Sequence, residues 1–165
     1  MFVKFLRENN IAAAVLTVFR VYLGWQFLHA GWEKITGGEF DASGFIQGAI
    51  GKATGDHPAV QGWWATFLEN VALPSSGLFS FLVMWGELLV GIALIAGIFT
   101  TFATIMGMTM NFAFLFSGTV STNAQMVFLA IFVAVAGANA GKFGLDYYVL
   151  PYIRKFYQKD NKVTA

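Results

Sequence analysis

FRVYLGWQFLHAGWEKI, residues 19–35, has the apolar density of a membrane-crossing helix, yet it carries Arg20 inside it. Gln26, His29, Glu33 and Lys34 follow. An arginine at the centre of a bilayer costs about 2.5–3.5 kcal/mol on insertion scales, so it calls for a partner or a task. At roughly 100° per residue, Arg20, Gly24, Phe27, Gly31 and Lys34 share one helical face, and Gln26, His29 and Glu33 share another. Gly24 and Gly31 admit a second helix at close range. The arginine face is therefore expected to point into the protein.

The rest of the chain sets this stretch in a polytopic membrane protein. Of 165 residues 57% are hydrophobic and 12% charged, about half the charge of an ordinary soluble domain. Four spans are expected, at about 11–34, 78–98, 102–116 and 124–140, against the roughly 20 residues that a helix needs to cross. The third is the shortest, and Thr100–Ser117 would let it reach across with little tilt. They form one domain, 1–165, of the all-α class, an integral membrane four-helix bundle. Lys4 and Arg7 precede the first span, and Lys142, Arg154, Lys155, Lys159 and Lys162 follow the last. The segment 37–77 carries Lys52 against Glu39, Asp41, Asp56 and Glu69. The positive-inside rule then puts both termini in the cytoplasm of a multi-pass plasma-membrane protein. The apolar run after Arg7 exceeds a signal h-region, so no removable leader is expected. A net charge of +1 argues against nucleic acid as a partner. The absence of Cys excludes thiol–disulfide chemistry, thiolate-held iron–sulfur clusters and thioether-linked haem.

Segment 37–77 is too long for a turn and too apolar for a linker. GDHPAVQGWWATFLENVAL, residues 55–73, offers Asp56 as a cap and Pro58 near a first turn, with Trp63, Trp64, Phe67 and Leu68 at helical intervals. This predicts a short amphipathic helix at the outer interface, where tryptophans gather. LDYYVLPYIRKFYQK, residues 145–159, reads as an interfacial segment on the inner side, its tyrosines and cations suited to headgroups.

Counting residues from the inner ends puts Arg20 roughly 13 Å deep and Glu87, on the second span, roughly 16 Å deep. Buried charges in membranes face the protein and pair, so an Arg20–Glu87 ion pair is expected, either fixing helix register or lining a polar cavity. Asn111 falls at similar depth and would complete that cluster or touch a ligand. Gly86 and Gly91 would ease close packing around Glu87. His29 and Glu33 near the outer interface form a pair able to move protons. Asn139 and Gln125, near opposite ends of the last span, need no special explanation. No carboxylate–histidine spacing suits a metal, two histidines are poorly placed for haem, and no glycine-rich nucleotide motif follows a strand.

RVYLGWQFLHAGWEK (residues 20–34, R-x3-G-x2-F-x3-G-x2-K), GELLVGIALIAGIFT (86–100) and AGKFGLDYYVLP (140–151), taken in order, resemble the DoxX/DoxD family of four-span membrane proteins. WWATFLENVALP, residues 63–74, is similar to the longer outer segment of DoxD. The resemblance implies a quinone-linked oxidoreductase role: DoxD pairs with a smaller subunit as thiosulfate:quinone oxidoreductase, and other members are associated with membrane oxidative-stress complexes. Quinone is then the diffusible acceptor, with a second small subunit or a soluble redox enzyme as partner and room for a homo-oligomer. Arg20, Lys34 and Glu87 match the shared motifs. The catalytic candidates are Arg20, Glu87, His29 and Glu33, with the carboxylates relaying protons. The substrate-binding candidates are Arg20, Lys34, Asn111, Trp25 and Trp32. Arg20, Trp25 and Trp32, together with His29, would donate hydrogen bonds to quinone carbonyls; Lys34 and Lys52, with Arg20, would attract a thiosulfate dianion, and Asn111 would touch a ligand. Two other functions remain open: a non-catalytic anchor or scaffold for a soluble redox enzyme, and a small-molecule or ion pathway.

Overall fold

Long apolar runs broken by glycine turns leave the backbone little choice but helix, since each segment must satisfy its own hydrogen bonds where water is absent. The computed structural model describes residues 1–38 and 40–160. Glu39 and Lys162, which entered the charge reading, lie outside the described residues, as do the side chains of Arg154 and Lys159. Among the described residues every regular element is helical.

A short helix α1, Phe2–Glu8, leads into α2, Asn10–Thr36. The junction is set by Asn9, whose side chain accepts from the N–H groups of Ile11 and Ala12, the usual work of an N-cap asparagine. Then come α3, Ala42–Gly51, and α4, Gly62–Phe67, which runs on into a π-helical turn over Leu68–Ala72. Helices α5, Ser76–Ala96, and α6, Thr100–Phe116, are joined by a turn at Gly97, whose φ of 67° is the left-handed C-cap that glycine tolerates. Helix α7, Asn123–Ala136, ends at Gly137 and continues as a 3-10 turn, Gly137–Gly141. Helix α8, Asp146–Asp160, completes the described chain. Helices α2 and α5, and α7 with its 3-10 turn, are long and apolar enough to cross a membrane; α6 is a shorter apolar helix.

Helix α2 packs against α5 and α7, and α6 packs against both α5 and α7. Leu16, Leu23, Phe27, Leu94 and Val133 fill the space between them. The arginine face of α2 is the buried one, with Arg20, Gly24, Phe27 and Gly31 all inside. The α2–α5 contact is backbone on backbone. A Cβ on Gly31 would stand 2.5 Å from the Leu88 nitrogen, and one on Gly91 would collide with the Leu28 backbone. Gly86 does not share this duty: a Cβ there would meet only the Met110 side chain at 3.4 Å, on α6. Large apolar side chains such as Val18, Leu89, Phe102 and Phe128 stay exposed, as a lipid-facing surface requires.

The glycine contacts fix the antiparallel register. Gly31 lies against Glu87 and Leu88, Gly24 against Gly91 and Ile95, and Arg20 against Gly97. Glu87 is therefore level with the far end of α2, not with Arg20.

Segment 37–77 differs from the single interfacial helix expected of it. It folds back as two helices over one end of the long helices, burying Ala42, Ile46, Ala49, Leu68 and Ala72 in a core of its own. Asp41 caps α3 by accepting from Ser43, through both its N–H and its hydroxyl; these bonds hold the Asp41 carboxyl below its ordinary value. That contribution is present above the ordinary carboxylate range and is lost as pH falls through the lowered value. Asp56 caps nothing: Gln61 precedes α4, and its side-chain oxygen accepts from Trp63 Nε1 (2.6 Å) instead of from a helix-start N–H. The cap is tied down where the Ala42 N–H donates to Ser80 Oγ (2.9 Å) and Trp64 Nε1 donates to Ser117 Oγ (2.9 Å).

Candidate functional site

The register separates the buried charges into two centres about 20 Å apart along α2, at 1.5 Å per residue. At the capped end, Lys34 Nζ donates to Glu87 Oε2 at 2.7 Å. The Lys34 side chain is 24% exposed, the Glu87 side chain 4%. Lys34 also donates to the Ala30 carbonyl (3.3 Å) and stands 5.5 Å from the Phe40 ring centroid. The pair lies in the wall of a cavity of about 350 Å³ between the cap and the ends of α2, α5 and α6. Phe40, Phe45, Trp64, Phe67 and Phe114 supply most of its aromatic lining. Phe45 meets Phe114 edge-on at 5.7 Å, and Trp64 stacks on Phe67 at 5.0 Å. Ala30, Lys34 and Phe40 also wall an adjoining groove that contains Glu33, so Lys34 stands between the cavity and the outside.

Asn111 is wholly buried, and its Nδ2 has no protein hydrogen-bond partner. It neighbours Met110, which packs on Gly86, and so sits at the height of Glu87.

The second centre surrounds Arg20, 2% exposed, and corrects the expected Arg20–Glu87 pair. Counting equal depths from the span ends assumes that those ends are level. Instead α5 ends beside Arg20, and α2 continues about ten residues below it. The guanidinium packs directly on Gly97 and Gly144, where a Cβ on either glycine would collide with it. Its Nη2 donates to the Phe143 carbonyl at 3.3 Å, while Nε and Nη1 have no protein partner. Two features offset the buried charge: the C-terminal end of α5 turns its carbonyls this way, and Asp146 supplies the opposing charge.

Asp146, 4% exposed, was not singled out from the sequence. Its carboxylate accepts from the N–H groups of Phe99 (2.7 Å) and Thr100 (2.9 Å), capping α6 from 46 residues away. Its own N–H donates to Gly97 O at 2.7 Å. Phe99 holds a φ of 48°, uncommon for a side-chain-bearing residue, and the Asp146 bond fixes it there. Asn139 also does more than expected of it: its Nδ2 donates to the Leu6 and Asn9 carbonyls at 2.7 and 3.0 Å, latching the α1–α2 junction.

The other candidates lie elsewhere. His29 Nδ1 and Glu33 Oε2 are 3.4 Å apart, but both side chains are mostly exposed. Trp25 and Trp32 are each 58% exposed on the outer side of α2. Lys52 donates to the Gly118 carbonyl at 3.2 Å. Of the residues expected to work together, the structure brings Lys34 and Glu87 into contact, with Asn111 at their level. Arg20 lies apart, and His29 with Glu33 stands outside.

An all-helical chain with an apolar exterior, two buried charge centres and a folded cap defines a small polytopic membrane protein. The DoxX family model matches residues 15–119, and the chain belongs to the DoxX family. The match takes in Arg20, Lys34, Glu87, Asn111 and the whole cap, but ends before Asn139 and Asp146. No curated protein and no solved structure matches the chain significantly.

Proposed function

We propose that this DoxX protein is the membrane subunit of a quinone-linked oxidoreductase, and that the quinone ring enters the cavity beside Lys34 and Glu87. The single observation that carries the reading is one ion pair in the wall of a cavity of about 350 Å³ lined mostly by aromatic and aliphatic side chains, with Ser117, Thr119, Ser121 and Asn123 as its other polar residues. A quinone needs an apolar slot for its ring and, at its carbonyls, a donor that strengthens as negative charge develops. Lys34 is that donor. Glu87 holds the ammonium in place and balances its charge before and after the ring arrives.

The donor of first choice is thiosulfate or a related sulfur compound, presented by a partner subunit at the capped end. Two thiosulfate dianions each give up one electron and join through sulfur; the quinone takes both electrons and two protons to become quinol. Lys34 supplies a proton at the reduced oxygen and is reloaded from the groove shared with Glu33. The surrounding architecture is read as a four-helix bundle with both termini in the cytoplasm and the cap outside, which follows the distribution of Lys and Arg.

The ion-pathway reading finds less support, because Leu23, Phe27, Val90 and Leu94 are buried between the two charge centres. The scaffold reading is separated by turnover. Purified protein in lipid, with and without co-purified subunits, is given thiosulfate and quinone. Donor-dependent quinol formation that falls at least about tenfold in Lys34→Met at equal folded amount is expected, the loss of one charge-stabilising donor being worth that much or more. Wild type and Lys34→Met with equal rates would contradict it.

A further inference from the structure

The end of the molecule opposite the cap carries chemistry that the quinone reading does not use. Two open grooves of about 520 and 480 Å³ lie there, separated by Lys142 and Tyr147. The larger is walled by Arg7, Asn139, Lys142, Tyr147, Leu150 and Pro151. Both of its cations are held in place. Arg7 Nε donates to the Val135 carbonyl at 2.9 Å, and Lys142 Nζ donates to Asn10 Oδ1 at 2.5 Å.

No acidic group among the described residues answers them. Asp146 lines the groove but is 4% exposed, and its two oxygens are taken by Phe99 and Thr100. Glu8 faces Lys4 at 3.9 Å. Helix α8 then leaves with Tyr147, Tyr148 and Tyr152 exposed and Lys155 following, side chains that suit the boundary between acyl chains and water.

We propose that the larger groove binds the phosphate of an anionic phospholipid headgroup, with Arg7 and Lys142 as its cations. Leu150 and Pro151 lie where the glycerol and first methylenes would rest, and α8 lies along the headgroup layer. Charge complementarity decides the occupant: an accessible double-positive wall beside an aromatic helix, on a membrane protein, fits a headgroup of net negative charge better than a zwitterionic one whose own cation the wall repels. Because Arg7 and Lys142 sit on segments far apart in the chain, the bound lipid would also tie α1 to the turn that precedes α8.

The test is native mass spectrometry of the purified full chain equilibrated with phosphatidylglycerol and phosphatidylcholine of matched acyl chains. Each cation near the surface is worth about fivefold, so wild type is expected to retain phosphatidylglycerol about thirtyfold over phosphatidylcholine. That preference should fall with added salt. Arg7→Gln with Lys142→Gln should bring the ratio to within about twofold, while Lys4→Gln, on the same end but outside the groove, leaves it unchanged. Equal retention of the two lipids by wild type would overturn the proposal without any variant. So would full preference in the folded double variant, or inorganic phosphate binding as tightly as the lipid.

Discussion

Glu87 reaches Lys34 across the α2–α5 contact, and their 2.7 Å bond leaves the lysine partly open and the glutamate closed. Removing one partner of such a pair strands the other. Glu87→Ala is expected to lower stability by about 3 kcal/mol, the low end for a broken buried pair because Lys34 can still reach water. Replacing both, Lys34→Met with Glu87→Met, should return to within about 1 kcal/mol of wild type, since the desolvation cost disappears with the charges. Denaturation of the purified variants in detergent measures both, and the double variant should fold yet bind quinone about tenfold or more weaker than wild type. At the other centre, Gly97→Ala adds a Cβ onto the Arg20 guanidinium at a residue whose φ is 67°. We expect a loss of about 3–4 kcal/mol, the sum of overpacking and a left-handed alanine. In an Arg20→Ala background the cost of the same substitution should fall but not vanish: the left-handed strain of about 1–2 kcal/mol remains, together with the close approach of the added Cβ to the Gly144 Cα at 2.9 Å, and the same denaturation series reads the difference. The spacing of Arg20, Gly24, Phe27, Gly31 and Lys34 made the inner face of α2 legible. Partners were harder to read. Depth counted from span ends gave Arg20–Glu87, whereas the glycines held the true register: Gly31 and Gly91 must meet a helix backbone, and sliding them into place brings Lys34 to Glu87.

At the scale of elements, α6 begins without a side-chain cap of its own, and Asp146 supplies one from beyond α7. Asp146→Ala removes two hydrogen bonds to helix-start N–H groups and the charge facing Arg20. It should cost about 2 kcal/mol, the upper end for a lost N-cap. Quinone binding by the surviving folded protein should be unchanged, because the cavity lies at the other end; equilibrium dialysis of folded protein separates the two effects. All four apolar helices could be read from hydropathy and length, to within about two residues for most ends. The exception was the last, where the α-helix stops at Gly137 and a 3-10 turn carries the chain on. The cap was only half legible. Its tryptophans signalled a helix, but ASGFIQGAIG (residues 42–51) is rich in glycine and hides α3, whose start is marked only by Asp41 ahead of Ser43. Asp146 had no local signal, since a cap supplied across 46 residues is a tertiary fact.

At the scale of the whole molecule, the two ends have different characters: an aromatic cavity under a folded cap, and a cationic rim beside α8. The reading of the cap as outside and the termini as cytoplasmic has a direct check, since the chain contains no Cys. In intact cells an impermeant maleimide should label Asp56→Cys and spare Lys155→Cys; the opposite pattern would invert the topology. The central claim concerns the cavity, and one measurement tests it most directly. Trp64 lies in the cavity wall, so a quinone seated there should quench its fluorescence. Titrating a short-chain quinone into the purified protein should give saturable quenching that is largely lost in Trp64→Phe and weakened about tenfold or more in Lys34→Met, as expected for a lost charged hydrogen bond. Quenching that never saturates, or that saturates equally in all three proteins, would contradict the account.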